Sequence, residues 1–266
     1  MNQFSNIPLN VWFPVYMKAL FIFSQTYKST FTKPDEDGFY ADEDKLNLSF
    51  KCFIVSLFNI LPDQYMKDKM LSFVYMDQTV SALLLSEDRL KSFFNSYPSM
   101  KKEIQTYSNS DTHFLDYCIK DEFTMFMWVY LLQSYIFILM NKVGNNIQIK
   151  SLNETKTIYN TDSMSKDDWG NVIWFILHTA SLYSVAPMEE LFYNFKAMLS
   201  CLQYLLPCPK CRAHLRQNLT KIYIDYCKES KLKLFECSWK LHNIVNESLN
   251  KYQPTLQEAL NFYIYR

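Results

Sequence analysis

The chain has 266 residues, of which 49% are hydrophobic, 20% charged and 17% aromatic, a composition that builds a folded core and excludes disorder or low-complexity scaffolding. Its 27 basic and 27 acidic residues cancel, so no global field draws DNA, RNA or an acidic membrane, and nucleic-acid binding is not expected. The three glycines, Gly38, Gly144 and Gly170, stand too far apart for a Walker loop or a G-x-G-x-x-G turn, so any nucleotide cofactor must bind by other means.

Scarce glycine among many Leu, Met, Lys, Asn and Tyr residues disfavours strands and points to an all-α fold. The N-terminal run lacks a basic leader and is interrupted by Pro14 and Lys18, which predicts no secretory signal and an intracellular protein. Apolar stretches separated by polar corners then predict helices over 11–26, 44–61, 65–75, 79–96, 100–120 and 122–143. Within the last of these, Phe123 to Met140 barely reaches spanning length and carries Tyr130, Gln133, Ser134 and Tyr135 at its middle. A buried core or dimer helix is expected there rather than membrane association. Residues 144–167 are polar and lack a helical apolar stripe, so they are read as a linker between an N-terminal helical domain, 1–150, and a C-terminal domain, 160–266.

After that boundary Ser165-Lys-Asp-Asp168 is a capping box, and a helix is predicted from Lys166 with the core stripe Trp169, Val172, Ile173, Ile176, Ala180 and Tyr183. Further helices are predicted over 188–206, from within Cys208 to Cys211, over 234–250 and over 255–263, with Pro207 and Pro254 at the breaks. The C-terminal half is therefore a four- or five-helix bundle.

Five of the seven cysteines lie in this half, at 201, 208, 211, 227 and 237. Pro207-Cys208-Pro209-Lys210-Cys211 places a C-x-x-C at a helix start, where two sulfurs come within disulfide reach and the helix N-terminus, Lys210 and Arg212 stabilise a thiolate. A C-x-x-C serves zinc as well as redox chemistry. With His214, Cys227, Cys237 and His242 there are enough candidate ligands for a non-enzymatic adaptor holding a structural zinc, although no second knuckle supports it. No metal is the preferred reading. Trp174 and His178 lie four apart on one helical face beside the core stripe, and Phe235, Trp239, His242 and Asn246 form a second aromatic and polar stripe. Such mixed stripes suit a flat polar ligand, with core-edge packing as the alternative.

Together G-x-x-x-W-x-x-x-H at 170–178, P-C-x-x-C at 207–211 and H-N-x-V-N at 242–246 resemble the Erv/ALR family of FAD-linked sulfhydryl oxidases, over roughly residues 165–255. The resemblance implies a helical bundle that cradles FAD without a glycine loop. It assigns Cys208 and Cys211 as the redox-active pair, with Cys211 against the isoalloxazine and Cys208 exchanging with incoming thiols. It assigns Gly170, Trp174, His178, Tyr183, His242, Asn243, Asn246 and Lys251 to cofactor contacts, with Trp174 and the histidines around adenine and ribose. Thiol-containing protein substrates, oxygen as electron acceptor, hydrogen peroxide as product and a homodimer built on 166–206 are implied in the same way.

Three departures from the family pattern are visible. Asn171 stands where Arg is common, Cys237-Ser-Trp239 replaces Trp-x-Cys, and no cysteine follows Cys237, so a Cys227–Cys237 pair is the available substitute for the family's later disulfide. No separate shuttle C-x-x-C occurs. Direct substrate access to Cys208 is therefore expected over a relay through Cys52, Cys118, Cys201, Cys227 or Cys237, with Cys52 and Cys118 read as buried thiols. The N-terminal half carries no catalytic constellation. It resembles the degenerate helical copy found in baculovirus-type oxidases of large DNA viruses, Trp128-Val-Tyr-Leu-Leu132 lying against Trp174-Phe-Ile-Leu-His178 with leucine in place of histidine.

Overall fold

The computed structural model describes residues 7–28, 38, 41–108, 110, 112–162 and 164–264, so residues 1–6 of the leader and position 163 of the predicted linker lie outside the described residues. Among the described residues there is no strand, and the architecture is all-α. The N-terminal half opens with α1 (Leu9–Thr26). Aspartates then start the next three helices, α2 (Glu43–Asn59), α3 (Gln64–Tyr75) and α4 (Gln78–Ser86). The carboxylates of Asp42, Asp63 and Asp77 accept the backbone N–H of Lys45, Met66 and Val80, satisfying donors that a helix start leaves unpaired.

The single helix expected over 79–96 is instead divided. Glu87 adopts an extended conformation, ψ 113°, and its carboxylate holds both the backbone and the guanidinium of Arg89, so the chain turns through a short 3₁₀ segment into α5 (Lys91–Ser96). The helix expected over 100–120 is likewise two, α6 (Pro98–Tyr107) and α7 (Phe114–Cys118), parted where the Ser108 hydroxyl donates to the Gln105 carbonyl and Ser110 Oγ accepts the Thr112 N–H. α8 (Glu122–Lys142) then runs unbroken. Its apolar window has a mean hydropathy of 1.7, long and apolar enough to cross a membrane, yet 67% of that window is buried against the protein's own helices. Within the predicted linker sits α9 (Leu152–Ile158), set by a Ser151/Glu154 capping box that buries Leu152 and Thr155.

In the C-terminal half α10 (Lys166–Tyr183) starts at the expected box, Ser165 and Asp168 each bonding the other's backbone N–H. α11 (Met188–Leu205), α12 (Pro209–Leu219), α13 (Lys231–Ser248) and α14 (Leu256–Ile264) follow, with a 3₁₀ turn at Ile224–Glu229.

One buried core runs from Trp12 of α1 to Leu241 of α13, through both halves of the chain. α2 packs along α11, α1 lies between α8 and α10, and α10 packs on α13. The apolar faces of α10 and α11 are thereby covered by α1 and α2 of the same chain. Polar ties cross this seam: the Tyr16 hydroxyl meets Thr179 Oγ1 at 3.1 Å in the dry interior, the Val185 N–H donates to the Leu61 carbonyl, and Lys67 pairs with Glu190 at 2.6 Å. Burial raises the Tyr16 pKa well above the tyrosine range, so the phenol stays protonated and donates to Thr179.

Candidate active site

The site is built where α10, α11, α12 and α13 converge on a cleft of about 1150 Å³, its open mouth included. Cys208 caps α12 with its sulfur, which accepts the Cys211 N–H at 3.2 Å, and Pro209 at the first helical position supplies the fixed φ that starts the helix. The two cysteines form a disulfide with Cα atoms 5.1 Å apart. Buried Arg212 donates to the Leu206 carbonyl at 3.1 Å, tying the start of α12 to the end of α11. Cys211 lines the cleft together with Lys210 and His214, whereas Cys208 lies outside its lining, and both cysteines are partly exposed. Both sulfurs sit in the positive field of the α12 N-terminus, which favours a thiolate once the bond opens.

A second disulfide joins Cys227 of the 3₁₀ turn to Cys237 of α13. Four of the six candidate zinc ligands are thus covalently paired, which disfavours the zinc-bound adaptor.

On the opposite wall the Trp174 indole lies flat on the His242 imidazole, 4.1 Å between centroids and 8° from parallel. Behind them runs a chain of hydrogen bonds that fixes both histidine tautomers. The Ser238 hydroxyl donates to the Phe235 carbonyl at 2.8 Å, so its oxygen accepts from His178 Nδ1 at 2.9 Å. His178 Nε2 then accepts from His242 Nδ1 at 3.1 Å, which leaves His242 Nε2 as a bare acceptor on a ring that lines the cleft. Burial holds His178 well below the ordinary histidine range, and burial with the nearby Lys251 brings His242 down to about 4. Both rings are neutral at pH 7.

Of the residues singled out in the sequence, Gly170, Trp174, Cys211, His242, Asn246 and Lys251 line this one cleft. His178 stands behind Trp174 and His242, 2% exposed. Tyr183 also lies behind the wall, its phenol donating to the Tyr263 carbonyl at 2.6 Å and thereby setting the Tyr263 ring 4.9 Å from His178. Asn243 points to the other side of α13, where it and Trp239 both donate to the Pro254 carbonyl. Asn250, in the left-handed region with φ 52°, ends α13 and turns the chain so that Lys251 returns to the cleft and pairs with Asp167.

Sequence reasoning passed over Leu199, Leu202 and Leu206 of α11 and Leu215 of α12, which form the apolar wall, and Ser238, which orders the histidines. The leucines follow helical spacing and read from sequence as core. Trp169 and Ile173, placed in the core stripe, also face the cleft.

The cleft therefore offers stacked rings, an apolar wall, cationic Lys166, Lys210 and Lys251 at its rim and one cysteine of a disulfide. The sequence profile of the Erv1 / Alr family matches residues 171–263, the stretch that carries these groups apart from Lys166. A probable FAD-linked sulfhydryl oxidase of Acanthamoeba polyphaga mimivirus is 31% identical over 99 residues, which are 36% of this chain and 69% of that protein. The chain belongs to the Erv1/Alr family. A putative FAD-linked sulfhydryl oxidase of Invertebrate iridescent virus 3 is 32% identical over 102 residues, 37% of this chain and 66% of that protein. The FAD-linked sulfhydryl oxidase of Arabidopsis thaliana is 28% identical over 92 residues, 34% of this chain and 47% of its own length. No solved structure matches. In the N-terminal half Trp128 and Leu132 are sealed in the core.

Proposed function

We propose that this protein is an FAD-dependent sulfhydryl oxidase that forms disulfide bonds in thiol-containing proteins. The observation that carries this reading is the Cys208–Cys211 disulfide at a helix start with Cys211 on the wall of a cleft whose far side is Trp174 stacked on His242. The donor set suits FAD. The indole and imidazole faces accept a planar ring, His242 Nε2 accepts from an amine or hydroxyl, and three lysines meet a pyrophosphate.

A substrate thiolate attacks Cys208 Sγ, the sulfur outside the cleft lining. The bond to Cys211 breaks, and Cys211 leaves as a thiolate that the α12 N-terminus stabilises. A second substrate thiolate attacks the substrate sulfur, forming the product disulfide and releasing Cys208. Two substrate thiols have then been oxidised and the Cys208–Cys211 pair reduced. FAD, when bound, supplies the two-electron acceptor that restores the disulfide and delivers the electrons to oxygen, giving hydrogen peroxide. Leu199, Leu202 and Leu215 keep water from the wall that Cys211 shares.

Oxygen uptake and peroxide release with a dithiol substrate test this reading. Cys208→Ser and Cys211→Ser each reduce turnover to background while flavin stays bound, and turnover by the double variant would overturn the assignment.

We assign the N-terminal 1–150 a structural role and the 160–266 portion the chemistry, inside the cell, where disulfides do not otherwise accumulate. A homodimer would have to use a face other than the one expected over 166–206, since α1 and α2 already cover it. The sedimentation mass of the purified protein decides between one copy and two.

A further inference from the structure

We infer that Cys52 and Cys201 form a third redox pair, an exchangeable dithiol that closes to a disulfide between the two halves of the chain. α2 and α11 run antiparallel in the most extensive helix pairing of the molecule. Contacts at both ends fix their register. At one end the Val185 N–H donates to the Leu61 carbonyl at 3.0 Å and Lys67 pairs with Glu190. At the other end Tyr204 packs on Ala41 and Leu46, with the Lys45 ammonium 5.3 Å from its ring. Between these ends the register sets Cys52 opposite Cys201, near enough that each thiol perturbs the other's titration. Cysteines facing each other across packed helices can close a disulfide where their Cα atoms come within about 7 Å.

The two sulfurs differ in a way that suits exchange. Cys201 is 6% exposed, whereas Cys52 is partly exposed at the seam. Cys52 lies 3.9 Å from Ser56 Oγ, and Cys201 together with this neighbour lowers its pKa, while Cys52 and burial raise that of Cys201. Cys52, which solvent reaches, is the sulfur that attacks, and buried Cys201 the thiol that resolves. The partner is a small disulfide such as oxidised glutathione. Cys52 attacks one of its sulfurs, forming a mixed disulfide and expelling the first thiolate. Cys201 gives up its proton and attacks Cys52 Sγ, expelling the second. Two protein thiols and one disulfide become one protein disulfide and two small thiols, and no other oxidant is needed. Cys118, fully buried and held above the ordinary thiol range by desolvation, stays reduced. The cross-link would brace α11, whose Leu199 and Leu202 flank Cys201 and line the cleft.

This inference does not depend on the oxidase reading, because added glutathione disulfide is the oxidant and oxygen is excluded. The full-length protein is equilibrated anaerobically with reduced or oxidised glutathione, alkylated under denaturing conditions and mapped by mass spectrometry. A Cys52–Cys201 linked peptide formed only with oxidised glutathione is the expected result. It is accompanied by a rise in melting temperature on the order of 5 °C that Cys52→Ser and Cys201→Ser each abolish. Alkylated Cys52 and Cys201 after oxidation, a lasting glutathione adduct on Cys52, or a link from Cys52 to any other cysteine overturns it.

Discussion

At the scale of single residues, the site turns on which histidine nitrogen carries a proton. The Phe235 carbonyl fixes the Ser238 hydroxyl, Ser238 fixes His178, and His178 fixes His242, so the ligand-facing nitrogen is chosen three residues away from the ligand. Ser238→Ala removes the acceptor for His178 Nδ1 and frees both tautomers. FAD affinity is expected to fall about 2- to 10-fold, the loss of one buried hydrogen bond. Flavin titration measures it, and nitrogen chemical shifts of His242 report the tautomer, so an unchanged shift would show that Ser238 does not order the pair. The same histidines make stability pH-dependent. The folded protein holds His242 neutral down to about 4, whereas an unfolded histidine takes a proton near 6.5. The unfolded state therefore binds more protons between these values, and the His242 contribution is intact above pH 6.5 and is lost as pH falls toward 4. Denaturant midpoints measured across this window should decline less steeply for His242→Phe than for the parent protein, and equal slopes would contradict the assignment.

Among the elements, the caps decide where helices begin. The Ser165/Asp168 box was readable because serine, the acidic third residue and the apolar run follow each other directly, and α10 starts there. Ser165→Ala should cost about 1 kcal/mol and lower the melting temperature by roughly 2–4 °C; calorimetry showing no shift would remove the cap from the account. Other elements were less legible for identifiable reasons. The division between α4 and α5 depends on Glu87 folding onto Arg89, a contact between neighbours that apolar periodicity cannot register. α9 was hidden because its seven residues are too short to show a stripe. The cysteine pair, Trp174, His242 and Asn246 were legible from spacing and resemblance, since each is fixed by its own helix. The leucine wall of α11 and the Ser238 relay were not, because a side chain facing a cleft and one facing the core have the same helical spacing. The Cys52–Cys201 juxtaposition lies across 149 sequence positions and emerges only from the α2–α11 register.

Taken as a whole molecule, the N-terminal half packs against the half that carries the Cys208–Cys211 pair. α1 and α2 bury the faces of α10 and α11 within one continuous core. Trp12 is fully buried, with Tyr16 5.1 Å away between ring centroids. Trp12→Ala should therefore cost about 3–5 kcal/mol and weaken flavin retention although it lies far from the cleft. Far-UV ellipticity and flavin release should change together in denaturant, and two separated transitions would show that the halves unfold independently.

The central claim is that one disulfide, Cys208–Cys211, carries electrons from thiols to a flavin held in the cleft. The visible spectrum of the purified protein, recorded before and after anaerobic addition of a dithiol and again in air, tests it most directly. The account predicts a yellow protein that bleaches and regains its colour, and a Cys211→Ser variant that stays yellow throughout. A protein that remains colourless after FAD is added, or one that bleaches equally well in the absence of both Cys208 and Cys211, would contradict it.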